Sequence, residues 1–264
     1  MRHCLFIAAL LFTASSALAQ QPQQPPPGSA PTLDPQNNRL DAMLLEWEAR
    51  MKAVESLKAQ ITLQTEDKAF RTHDKFEGIA KYKKPNLAIL DLRMTNRPDK
   101  IEKLICTGTF VYRFAPEQKE IRVYDLTPKA GQVSEDNFLS FLFEIKAEEA
   151  RRRYELSFFN ETDKNYYILK IVPRLPADKA EFQVAYLALS RTTLLPRTLI
   201  MDDPKGNRTQ WDIPIIENGA NLERREFTAP ELPKGWQMRR MPRESSVQAQ
   251  RPEDLPPRVA RPKP

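Results

Sequence analysis

The chain has little of the residue types on which most enzyme chemistry depends. Among 264 residues there are two cysteines, two histidines and seven glycines. Cys4 lies at the N-terminus in front of an apolar run, which leaves Cys106 alone in the rest of the chain and excludes an internal disulfide there. His73 stands in the polar stretch Thr72-His73-Asp74 with no second imidazole at metal-ligand spacing, and reads as a surface residue. Cys106, on an apolar-flanked strand, reads as a small core residue. The few glycines form no phosphate-cradling loop. Asp202-Asp203, followed by Pro204-Lys205-Gly206-Asn207, reads as turn chemistry. We therefore expect no catalytic residue, no metal and no cofactor. Hydrolysis by paired carboxylates stays open, because spacing in sequence does not set spacing in the fold. Long apolar runs are also missing: no segment after the first 19 residues approaches the roughly 18 residues of a membrane span.

What is present at the start fits an export signal. Arg2 and His3 are positive, residues 5–11 are apolar, and Ala17-Leu18-Ala19 offers a small-residue cleavage site. Residues 1–19 are expected to be removed, placing the product in the periplasm as a soluble protein. Cys4 precedes the apolar run instead of following it, so lipid attachment is not expected.

The net charge of +6 is unevenly spread. From Gln237 to Pro264 there are seven basic and three acidic residues, and Arg2 adds one more positive charge. The middle of the chain is left nearly neutral, which gives nucleic acid no footprint. Residues 20–36 are rich in Gln and Pro and 239–264 in Pro and Arg, so they read as a linker and a disordered tail around one domain, 37–238. Docking of the tail on anionic lipid or an acidic wall polymer is the sharper alternative.

Within the domain, Asp34 and Pro35 offer a helix start, and Leu40, Met43, Leu44, Trp47, Met51, Val54 and Leu57 recur at helical spacing. From about Leu57 the period changes to two. Strands are expected near 58–65, 75–82, 86–94, 101–106, 110–114, 120–126, 154–159, 166–172, 181–190, 196–201, 209–216 and 222–227. Short connections make neighbours antiparallel. Two helical pieces interrupt the series, an apolar one holding Phe138, Phe141 and Leu142, and a charged one over 147–153. The fold class is mainly β, with about 11–12 antiparallel strands. Several strands are apolar on both alternations, such as Phe182, Val184 and Tyr186 against Ala185, Leu187 and Leu189. Such strands meet apolar material on both sides; a cavity and a filled core account for this equally.

Phe76-Glu77-Gly78 followed by Lys83-Lys84-Pro85-Asn86-Leu87 resembles the strand, basic residue, proline, strand element of the LolA-like family, periplasmic carriers of outer-membrane lipoproteins. The succession 101–108, 110–116 and 118–126, the apolar segment 137–142, then 167–173, 202–209 and Phe227-Thr228-Ala229-Pro230 follows the same order. No single motif is specific; the order and spacing carry the resemblance. It implies an incomplete antiparallel β-barrel with an N-terminal helix and a short apolar lid helix, closed around an apolar cavity. Holding a sixteen-carbon chain out of water offsets about 12 kcal/mol at about 0.8 per methylene. Lys84 stands where known members carry arginine, whose planar fork lysine lacks. On this reading Lys84 bears on ligand binding, Phe110, Tyr112 and Phe114 line one wall, and Phe138, Phe141 and Leu142 belong to the lid, although core packing explains each aromatic equally well. The implied partners are lipoprotein or lipid acyl chains, an inner-membrane releasing complex and an outer-membrane acceptor, with the protein a monomer. The alternative is a non-enzymatic sensor or protein-binding domain of the same fold.

Overall fold

The computed structural model describes residues 33–126 and 146–241. The periodic apolar residues form α1 (Arg39–Lys52), with Leu40, Met43, Leu44, Trp47 and Met51 buried. Its cap is Asn38, whose side chain accepts from the Leu40 and Asp41 amides, and not Asp34. Asp34 instead closes a preceding turn by accepting from the Asn37 amide. The helix stops at Lys52, so Leu57, which continues its spacing, belongs to the first strand.

Six strands follow: β1 (Ser56–Asp67), β2 (Thr72–Lys83), β3 (Leu87–Met94), β4 (Ile101–Thr107), β5 (Phe110–Ala115) and β6 (Glu120–Asp125). After residues 127–145, which lie outside the described residues, come α2 (Ala147–Arg153), β7 (Tyr154–Asn160), β8 (Tyr166–Pro173), α3 (Pro176–Glu181), β9 (Val184–Ser190), β10 (Pro196–Asp202), β11 (Arg208–Asn218) and β12 (Gln237–Arg240). All twelve strands join one sheet in the order β12-β6-β5-β4-β3-β2-β1-β11-β10-β9-β8-β7. Every pairing is antiparallel except β12 with β6. The end strands are not paired with each other, so the barrel is incomplete. No helix of the described residues is long and apolar enough to cross a membrane.

Two expected strands differ. Residues 176–181 are helical, with proline in the first turn and Asp178 buried against Arg153, so that strand begins only at Val184. Residues 222–227 form no strand: Glu223 and Glu226 build a capping box around a short helical turn at Arg224–Glu226. The twelfth strand is instead β12, which includes Arg239 and Arg240 of the expected tail.

The segment leading to β12 straps the outside of the sheet. Leu222 and Phe227 bury Leu87. Lys83 donates to the Leu222 carbonyl at 2.7 Å, and Lys81 pairs with Glu226 at 2.5 Å. Trp236 then meets Phe114 edge-on at 6.0 Å between ring centroids. In the middle of the sheet a bulge sets Ile213 and Pro214 opposite Ile61. Arg197 donates to both their carbonyls, at 3.1 and 3.0 Å, satisfying acceptors that the interrupted ladder leaves open.

α1 and α2 clasp each other. Arg151 pairs with Asp41 at 3.0 Å, and the Asp41 side chain is 3 % exposed. Glu48 accepts from the Ala147 amide at 2.9 Å, supplying the cap that the side chain of Lys146 does not. Burial pushes the Glu48 carboxyl up, but the Ala147 amide and the nearby Lys52 outweigh it and hold it below its ordinary value of 4.5. A depressed carboxyl stabilises the fold above its unfolded value and loses that contribution as pH falls through its folded value. Glu48→Gln is therefore expected to lower stability by about 1 kcal/mol at neutral pH. Urea titrations at neutral pH and well below 4.5 check this: the gap to wild type closes on the acid side.

Candidate ligand-binding face

Strand pairing sorts the side chains onto two faces. The inner face is the one against which α1 packs: Trp47, Leu44 and Met43 share a core cluster with Tyr154, Leu156, Leu169, Ile171, Leu187, Leu189 and Leu199. The cluster fills the β7 to β10 half. Across β1 to β3 the same face carries a second cluster, Ile61, Leu63, Phe76, Leu92 and Met94, flanked by the half-buried Ala59, Ala80, Leu90 and Ile213. Trp211 packs against both clusters and marks their junction. No helix of the described residues belongs to the second cluster.

The register extends this apolar surface as a row at right angles to the strands. Ile216 pairs with Ala59, Ala59 with Ala80, Ala80 with Leu90, and Leu90 with Leu104. At the usual strand spacing these five positions span about 19 Å. Gly78 sits inside the same face, paired with Ile61 and Leu92. A Cβ there would lie 2.0 Å from the Asp91 carbonyl oxygen, so only glycine allows the β2 and β3 backbones to approach so closely.

The expected site residues fall in three places. Lys84 follows β2 across a cis bond to Pro85 and reaches back to the end of α1, donating to the Lys52 carbonyl and to Glu55 at 3.2 Å. It ties the helix terminus to the β2–β3 turn. Phe110, Tyr112 and Phe114 point to the outer face, packed with Ile105, Ile121 and Val123 and partly covered by Trp236. Their strand neighbours Val111 and Arg113, of opposite parity, are the β5 residues that share the inner face with Cys106 and Leu104. Phe138, Phe141 and Leu142 lie outside the described residues. The inner wall residues Leu90, Leu104, Trp211 and Ile213 escaped the sequence reading; only pairing parity points to them.

The outer face differs in character. A recess of about 350 Å³ is lined by Phe110, Val123, Asp125, Arg240 and Met241. A second, of about 500 Å³, includes Gln64, Thr198 and Asp212 among its lining. There Asp212 accepts from Thr198 at 3.1 Å, Gln210 at 2.7 Å and Gln64 at 3.4 Å. Both recesses mix polar and apolar groups, unlike the inner-face row from Ile216 to Leu104.

The groups with nucleophilic or basic chemistry stand apart. The Cys106 thiol donates to the Asn86 carbonyl at 2.8 Å, and burial pushes it up, away from the reactive thiolate. His73 is exposed at the far end of the β1–β2 pair, 3.5 Å from Glu66. Asp202 is held below its ordinary value by Arg208, and Asp203 organises the turn to Asn207.

Compared with protein families and with curated proteins, the sequence matches none. Solved structures are similar to it. An uncharacterized conserved protein from Thermus thermophilus is 12 % identical with a TM-score of 0.46, aligned over 76 % of this chain and 98 % of that one. A LolA superfamily protein from Nitrosomonas europaea is 14 % identical with a TM-score of 0.36, over 71 % of this chain and 97 % of that one. The MucA/MucB complex from Pseudomonas aeruginosa contains a chain 12 % identical with a TM-score of 0.39, over 72 % of this chain and 60 % of that one. These structures, a LolA superfamily protein among them, are similar to the chain at low identity and low TM-score.

Proposed function

We propose that the chain is a non-enzymatic carrier that holds acyl chains of lipids or lipoproteins on its inner face and moves them through the cell envelope. The observation that carries this reading is the half-buried apolar row from Ile216 through Leu104, beside a second cluster to which no helix of the described residues belongs. An apolar surface of this extent in a sheet offers an acyl chain the transfer energy that water denies it, about 0.8 kcal/mol per methylene. The buried, hydrogen-bonded thiol and the exposed lone imidazole favour binding over covalent chemistry.

A protein-binding sensor is the second reading, and β7 favours it. Among the described residues β7 pairs only with β8, and Phe159 on it is 60 % exposed, so its other side can accept a partner strand.

Tryptophan fluorescence separates the two. Trp211 lies on the inner face and Trp236 on the outer. In a Trp47→Phe background, since Trp47 shares the inner cluster, titration with a fatty acid brominated along its chain is expected to give saturable quenching that Trp236→Phe keeps and Trp211→Phe largely removes. Absence of saturable quenching in folded wild-type protein would sink carriage and leave the sensor.

A further inference from the structure

The apolar row does not stop at Leu104; it changes character. Leu104 pairs with Arg113 on β5, Arg113 with Arg122 on β6, and Arg122 with Arg239 on β12. Three arginines thus stand side by side on the inner face, on three adjacent strands, continuing the line of Ala59, Ala80, Leu90 and Leu104. Like charges directly opposite each other in a sheet repel. One acid forms an ion pair with them: Glu120, 5 % exposed, lies 3.3 Å from the Arg122 guanidinium. Glu102 shares this face too, on β4 two residues from Leu104 and so diagonal to Arg113, and it forms no ion pair with a described residue. Neither Arg113 nor Arg239 forms an ion pair with a described residue, and both are exposed. Arg240, next along β12, points the other way, over the Phe110 ring.

A surface that is apolar along one stretch and triply cationic at its end is complementary to a molecule with the same division. We propose that the ligand of the inner face is an acyl lipid with a phosphate head, its chain along the row from Leu104 towards Ile216 and its phosphate on Arg113, Arg122 and Arg239. Guanidinium forks bind phosphate oxygens in pairs, and a phosphate monoester, with three terminal oxygens and about −1.5 to −2 charge at neutral pH, can engage several of them where a single carboxylate engages one. The proposal rests on the acyl-binding reading and adds the head group to it.

Calorimetric titration of the full chain, below micelle-forming concentrations, uses three amphiphiles of one chain length: a monoacyl phosphatidic acid, a fatty acid and a monoacylglycerol. The phosphate-headed lipid is expected to bind at least about tenfold more tightly than the neutral one, with the carboxylate between them. Arg113→Gln with Arg239→Gln is expected to remove that preference and leave the neutral affinity unchanged. The same double variant is expected to melt no lower than wild type, since it relieves repulsion. Equal binding of phosphate-headed and neutral lipids, a carboxylate preferred over phosphate, or a preference that survives in the double variant would overturn the head-group site while leaving acyl binding standing. Failure of all three to bind would overturn acyl binding itself.

Discussion

Gly78→Ala is expected to destabilise the protein by about 3 kcal/mol, the upper end of what overpacking costs. The added methyl carbon would sit 2.0 Å from the Asp91 carbonyl oxygen and 2.9 Å from the Leu92 Cα, both backbone atoms of β3. No side-chain rotamer can relieve an overlap with backbone, so β2 and β3 would have to part at the centre of the inner face. The neighbouring Ile79→Ala, on the outer face and 36 % exposed, serves as control and should cost far less. Urea unfolding of both variants measures the difference. If Gly78→Ala unfolds at the wild-type midpoint, the two strands are not so close in solution. A variant that stays folded but splays the pair should also lose acyl-probe binding, because Phe76 and Leu92 flank that point.

Trp47→Ala is the second large effect, expected at about 3–5 kcal/mol. Trp47 is 0 % exposed and lies in the cluster that joins α1 to β7, β8, β9 and β10. Removing the indole leaves a cavity between a helix and a sheet whose other contacts are fixed at both ends. The Asp41–Arg151 pair and the Glu48 cap hold α1 to α2, and Lys84 holds its C-terminus. With those anchors in place the helix cannot slide to refill the space. Since small domains are stable by only about 5–15 kcal/mol, this one substitution removes a large part of the total. Trp47→Phe, which keeps most of the volume, should recover most of the loss. A cost below about 1 kcal/mol for the alanine variant would mean that α1 does not pack as described.

Much of the fold was legible because its signals are local. The run from Leu40 to Met51 repeats at three and four residues whatever it packs against, and the period-two runs from Ser56 onward mark strands in the same way. The cap lies four residues beyond Asp34 because Asp34 and Asn38 are both good caps, and only the turn between them decides which one starts the helix. The 222–227 segment read as a strand because Leu222 and Phe227 are apolar, yet they are buried by folding over Leu87 on the outside of the sheet. β12 was illegible for the opposite reason: its four residues are exposed and two of them are charged, and pairing alone makes them a strand.

The candidate site was the least legible part. In β5, Phe110, Tyr112 and Phe114 alternate with Val111 and Arg113, and the aromatic set looks like the functional wall. Pairing turns the aromatic set outward beneath Trp236 and turns Val111 and Arg113 inward. A one-residue shift of register would exchange the two sets, and nothing in a strand apolar on both alternations specifies which is correct.

By itself, then, the sequence determined the mainly β class, the positions of most strands and the amphipathic first helix, because propensity and periodicity act within a few residues. Only the tertiary structure decided which parity faces inward, that Gly78 lies at a backbone contact, and that Arg113, Arg122 and Arg239 stand in one row beside an apolar surface. These last features depend on pairings between residues up to more than a hundred positions apart, set by the packing of the whole sheet and not by the residues that display them.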